Sequence, residues 1–199
     1  LPNNLDGGDV MRNFWNAKFV AVAAALLLIS GCASHGPYNS ISEGADSILM
    51  LKGHDPVAYF TVGTHTLGKA DIKAEYEGAT YRFATQENKA AFVKEPARYA
   101  PQYGGYCSNG IVYGIPWGGD PDAWKIIDGK LYIFGGPGSR KYFLMDEKRN
   151  IALADGYWKD EIKGSNAFIQ RYKRLAIRVP HYKSGKELEE EWQRKQAPK

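Results

Sequence analysis

Residues 68–98 and 119–149 of this 199-residue chain match one another without a gap when the sequence is slid by 51 positions. Gly68 falls on Gly119, Asp71 on Asp122, Gly78 on Gly129, Tyr81 on Tyr132, Phe83 on Phe134, Phe92 on Phe143 and Arg98 on Arg149. Glu77/Asp128, Lys89/Arg140, Val93/Leu144 and Glu95/Asp146 add conservative pairs. Self-similarity at a fixed period points to a repeated supersecondary unit. The two stretches also read alike one at a time. Ile72–Tyr76 and Ala79–Phe83 alternate in the two-residue period of strands and meet across Glu77-Gly78, which predicts a hairpin. Thr85 then offers an N-cap to a helix running through Val93, with Glu87 in its first turn and Pro96 as its stop. Trp124–Ile127 and Lys130–Phe134 flank the turn pair Asp128-Gly129, and a helical stretch follows from Ser139 to Met145. The expectation is an α+β fold of two tandem ββα units packed as one domain, with further helices behind. Convergent hairpin-plus-helix patterning is the alternative.

Ahead of the repeat, Arg12 and Lys18 open an apolar run, Phe19–Ile29, that is followed by Ser30-Gly31-Cys32. The run is too short for the roughly 20 residues a spanning helix needs and suits a secretory leader. With a cysteine behind two small residues it resembles a bacterial lipoprotein signal peptide, which implies lipidation of Cys32 and a mature chain beginning there. Residues 1–10 precede Met11 and read as translated upstream sequence. The resemblance implies a chain held by its N-terminal lipid on the periplasmic side of the cell envelope. With Ala33 behind the lipidated cysteine, the resemblance to such lipoproteins implies the outer rather than the inner membrane. The domain reading is 1–31 upstream residues and leader, 32–46 a flexible tether of small and polar residues, 47–160 the folded domain, and 161–199 a basic helical extension.

The formal charge is +4, and most of the excess follows residue 159. A mild balance in a chain outside the cytoplasm excludes nucleic acid as a partner; the basic excess is either a solvated face or a contact with anionic headgroups. Asn166–Ala176 reads as an amphipathic helix, and Lys186–Lys195 as a marginal, exposed one. The chain has two cysteines. Lipidation of Cys32 leaves Cys107 without a disulfide partner, as a buried inert thiol, a metal ligand or a reactive group.

Three motifs stand out: DPVAYF within Gly53–Phe60, GATYRFA over Gly78–Ala84, and YGGYC over Tyr103–Cys107. In this order and spacing they resemble the YHS domain family, specifically its secreted single-domain branch, from about Leu51 to Trp158. The later DGKLYIF and ADGYW match that branch too. The resemblance implies a YHS-like, treble-clef-related fold. Where metal-binding members carry three cysteines, this chain has Ala58, Ala84 and Asn88. None supplies a thiolate, so the resemblance implies the fold without its metal cluster, and an aromatic core in its place.

The remaining candidates come from the residues themselves. His54 and Cys107 are the borderline and soft donors that would suit copper or zinc. Tyr59, Tyr106 and Trp117 sit among the motifs as candidates for an aromatic-lined ligand pocket, Trp117 at the tip of a Gly/Pro-flanked loop. No catalytic fingerprint is present and no catalytic residue is assigned. The leading functional expectation is a non-enzymatic binding or accessory module, with an envelope protein or a small ligand as partner. The alternatives are a copper- or zinc-handling protein using His54 and Cys107, and a thiol enzyme centred on Cys107.

Overall fold

The computed structural model describes residues 38–197, and the leader, Cys32 and the tether as far as residue 37 lie outside them. An N-terminal hairpin, β1 (Ser40–Glu43) and β2 (Asp46–Met50), precedes the first unit. That unit runs through α1 (Ala58–Thr61), β3 (Lys69–Tyr76), β4 (Ala79–Phe83), α2 (Gln86–Lys94) and α3 (Pro96–Tyr99). The second runs through α4 (Ser108–Ile111), β5 (Asp120–Ile127), β6 (Lys130–Phe134), α5 (Pro137–Leu144) and α6 (Glu147–Tyr157). A π-helical turn (Trp158–Ile162) leads to α7 (Ala167–Ala176) and α8 (Gly185–Gln196).

The 51-residue period holds in the backbone. In the first hairpin Lys69 faces Phe83, then the register slips, and Lys73 faces Arg82; in the second Asp120 faces Phe134, slips, and Trp124 faces Ile133. Both turns place two successive residues in the left-handed region, Glu77-Gly78 and Asp128-Gly129, which the tight hairpin turn demands. Both helices break at the same place: Glu95 (φ −139°, ψ 61°) and Asp146 (φ −148°, ψ 66°). Gly68 and Gly119 are matched for a steric reason. A Cβ would lie 2.5 Å from the Arg82 carbonyl carbon in one and 2.2 Å from the Gly105 oxygen in the other.

The period also reaches further upstream than the sequence match. Leu51-Lys52-Gly53 and Tyr103-Gly104-Gly105 are two left-handed triplets that open the two units. Behind them Asp55 N–H donates to Thr66 O and Cys107 N–H to Trp117 O. The offset there is 52 at the triplets and 51 from the hairpins onward, so no single ungapped alignment joins them.

Each unit closes on one phenylalanine. Phe92 packs against Tyr81 and Phe83 at 4.7 and 5.1 Å between ring centres, and Phe143 against Tyr132 and Phe134 at 6.0 and 5.3 Å. Strand β6 serves both cores: Tyr132 and Phe134 join that of the second unit, and Leu131 and Ile133 that of the first. This follows from the alternation of side chains along a strand.

Two expectations need correction. The tether expected over 32–46 is structured from residue 38 on. Tyr38 donates to Glu77 O, Asn39 donates to Gly104 O and Gly119 O, and β1–β2 extends the first sheet in the order β1-β2-β4-β3. What fixes it is charge. Arg82 donates to Asp46 Oδ2 at 2.9 Å and to Glu43 Oε1 at 2.5 Å, and Lys73 to Asp46 Oδ1 at 2.6 Å. Nor is the last helix marginal. Ser184 and Glu187 form a capping box, and Leu188 is buried against the second unit. Lys141 and Tyr142 donate to Glu189 and hold its carboxyl down at about 2.

Candidate functional site

Asp55 is fully buried and its carboxylate accepts four hydrogen bonds. Oδ1 receives Val57 N–H at 2.8 Å and Ala58 N–H at 3.3 Å. Oδ2 receives Ala84 N–H at 2.8 Å and Asn88 Nδ2 at 2.7 Å. A buried charge is tolerated only when its acceptor capacity is met, and four donors meet it. Ala58, Ala84 and Asn88 are the positions where the family resemblance places thiolates. One carboxylate therefore ties together the start of α1, the end of β4 and the first turn of α2, the elements a metal would join. The residues present do not fit a thiolate-bound ion. Among the described residues, no group of three or more His, Cys, Asp or Glu could hold a metal.

In the second unit the place of Asp55 is taken by Cys107, that of Ala84 by Gly135 and that of Asn88 by Ser139. The spatial relation is retained, since a Cβ on Gly135 would stand 3.5 Å from Cys107 Sγ and 3.6 Å from Ser139 Oγ. Here the space stays open among the described residues. α2 is capped by Thr85 Oγ1 on Asn88 N–H, whereas α5 starts at Gly136 with no side-chain cap. A groove of about 350 Å³ opens over the thiol, lined by Cys107, Asn109, Trp117, Ser139, Tyr142 and Lys183 among others. Cys107 forms its floor at 4% exposure and Trp117 its rim at 42%. The Arg171 guanidinium stands 5.9 Å from the centre of the Trp117 ring. The far wall comes from the C-terminal segment, where Lys183 is paired with Glu191 and His181 Nε2 lies 2.9 Å from Val112 O.

The candidates thus regroup. Cys107 and Trp117, taken from the metal and the ligand readings, meet in one groove. His54 is elsewhere: its Nδ1 lies 2.9 Å from Leu51 O and its ring stands edge-on to His65 at 5.7 Å. In the second left-handed turn its place belongs to Tyr106, so His54 and Cys107 occupy successive positions of corresponding turns in different units. Tyr59 and Tyr106 are core residues rather than a pocket lining. Tyr59 ties the units, donating to Pro121 O at 3.1 Å and standing edge-on to Trp124 at 5.1 Å. Cys32 lies outside the described residues. Asn109 and Ser139 were missed as groove residues. The signal available was the 51-residue offset applied to Asn88, which lands on Ser139.

The architecture defines a tandem α+β protein whose first unit is sealed by a carboxylate and whose second is open over a thiol. Residues 57–103 match the YHS domain family model. That match begins two residues behind Asp55 and ends in the turn that opens the second unit. No curated protein and no solved structure matches the chain.

Proposed function

We propose that this chain is an envelope-anchored YHS lipoprotein acting as a non-enzymatic binding module, with the groove of the second unit as its ligand surface. The observation that carries the reading is the contrast between corresponding places. Asp55 fills the first, while the second holds about 350 Å³ of open space over Cys107, within the range of small-molecule sites. A ligand there meets an indole, a phenol, an amide, a hydroxyl and a thiol. The chemistry suits a small molecule with a flat apolar part and a hydrogen-bonding edge. Lipidation at Cys32, attachment to the outer membrane and exposure to the periplasm belong to the same proposal and rest on the leader-like sequence.

The test combines elemental analysis with alkylation of Cys107 by a small thiol reagent in the presence of a fragment collection. The expected outcome is a folded, metal-free protein in which some fragment slows alkylation, with the protection lost in Trp117→Ala. Stoichiometric copper or zinc that disappears in both Cys107→Ala and His54→Ala would replace this reading by metal handling. Failure of every fragment to protect the thiol would remove the groove from consideration.

A further inference from the structure

Helix α7 is mounted inside out. The face turned to the protein carries Ala167, Gln170 and Arg174. Gln170 is buried and donates to Gly114 O and Glu161 Oε2 at 3.1 Å each. Arg174 is paired with Glu161 and stacks over Tyr157 at 5.4 Å. The apolar face points away. Phe168, Ile169 and Tyr172 are each more than half exposed, as is Ile177 just behind the helix, and Leu175 stands at 47%. Ordinary amphipathic helices bury the apolar stripe and expose the polar one. Here buried polar partners hold the helix in the opposite orientation.

Apart from Glu161, which pairs with Arg174 and with Lys173 at 2.9 Å, the charge around this face is basic. Between Glu161 and Glu187 there is no acidic residue, while Lys163, Arg171, Lys173, Arg174 and Arg178 fall in that stretch. On the helical wheel Arg171 and Lys173 border the stripe on opposite sides. An apolar face edged by Lys and Arg is the pattern of a helix lying in the headgroup region of an anionic bilayer. A second copy of this chain would bring like charges together and fits the face poorly.

We infer that α7 is a membrane-surface helix, which inserts Phe168, Ile169, Tyr172 and Leu175 among the acyl chains of an anionic phospholipid bilayer while Arg171, and Lys173 exchanging its contact with Glu161, meet headgroups. The contact needs no N-terminal lipid and meets the groove only at its rim, where Arg171 stands beside Trp117. It presses the second unit onto the membrane through Gln170 and Arg174.

The test reads position 172 locally, so that other apolar segments of the chain do not obscure it. The full chain carrying Tyr172→Cys is labelled with a polarity-sensitive fluorophore, the unsubstituted chain giving the background from other thiols. It is then mixed with vesicles of phosphatidylcholine alone or with added phosphatidylglycerol. The expected result is a blue shift with phosphatidylglycerol that is small without it and reversed by salt. Phe168→Ser with Leu175→Ser should weaken vesicle binding by about tenfold or more, with an unchanged near-ultraviolet circular dichroism spectrum. No shift with anionic vesicles would overturn the inference. So would a shift that needs no lipid and grows with protein concentration, which would assign the face to a second copy. A shift equal in both vesicle types and indifferent to the serine variants would reduce the contact to passive proximity and equally overturn it.

Discussion

In the first hairpin the residues facing away from the aromatic core are Lys73, Glu75, Thr80 and Arg82; in the second the same places hold Trp124, Ile126, Leu131 and Ile133. The backbones share their register slip, turn and helix break, and the inner faces share the Tyr-x-Phe pair. The outer faces differ in kind, polar in the first hairpin and apolar in the second, and they decide what each unit packs against. The apolar face of the second closes the core of the first. The polar face of the first is covered instead by the N-terminal hairpin through Asp46, Glu43 and Arg82. A repeated unit becomes two halves of one domain by changing one side of one hairpin. The sites diverge in parallel: Asp55 closes the first, and Cys107 leaves the second open.

The sharpest way to break this comparison is at the two corresponding positions. Asp55→Ala strands four donors at once, two of them buried and two half-buried, and should cost about 4 kcal/mol in denaturant unfolding. Cys107→Ala removes one sulfur from a groove floor and should cost about 1 kcal/mol. Equal losses would mean that Cys107 is as structural as Asp55. Next comes Arg82→Leu, which leaves Asp46 buried beside Lys73 alone and should cost about 3 kcal/mol at neutral pH. Hydrogen bonds from Lys73 and Arg82 hold the Asp46 carboxyl below the usual carboxylate range. Its stabilisation is therefore complete above about pH 4 and disappears as the pH falls through the lowered value. Removing Arg82 should move that acid loss to higher pH, measurable as urea midpoints against pH. An unchanged profile would detach the N-terminal hairpin from the argument. The smallest of the paired tests is Gly68→Ala beside Gly119→Ala. Each new methyl meets backbone rather than a mobile side chain, and about 2 kcal/mol is expected for both. Tolerance of one and not the other would show that the two units are less alike than their register suggests.

The repeat, both hairpins and the cap at Thr85 were legible because they are written locally, in two-residue alternation, turn pairs and a hydroxyl cap. The capping box at Ser184 was equally local, as Ser-x-x-Glu, and went unread because the helix behind it is charged nearly all round. Strands β1 and β2 were not legible. Ser-Ile-Ser-Glu has little to bury, and the partner that fixes it, Arg82, lies nearly forty residues away. The left-handed triplet Leu51-Lys52-Gly53 hid for a different reason: Leu and Lys give no sign of positive φ, whereas Gly104-Gly105 does. Without that pair of turns, Cys107 could not be set against Asp55. For α7 the amphipathic pattern was plain and its orientation was not, since a helical wheel says which face is apolar but not which way it is turned.

Strand β6 has a last consequence, for how the molecule comes apart. Its residues alternate between two cores, so melting the second hairpin strips Leu131 and Ile133 from the first unit in the same event. Neither half has a boundary across which it can be cut and kept. A fragment ending at residue 103, where the family match stops, would lack Leu131 and Ile133 and leave the part of its core that they cover open to water. The two units, duplicated in form, are thus bound to a single cooperative transition, and the autonomous folding piece is the pair.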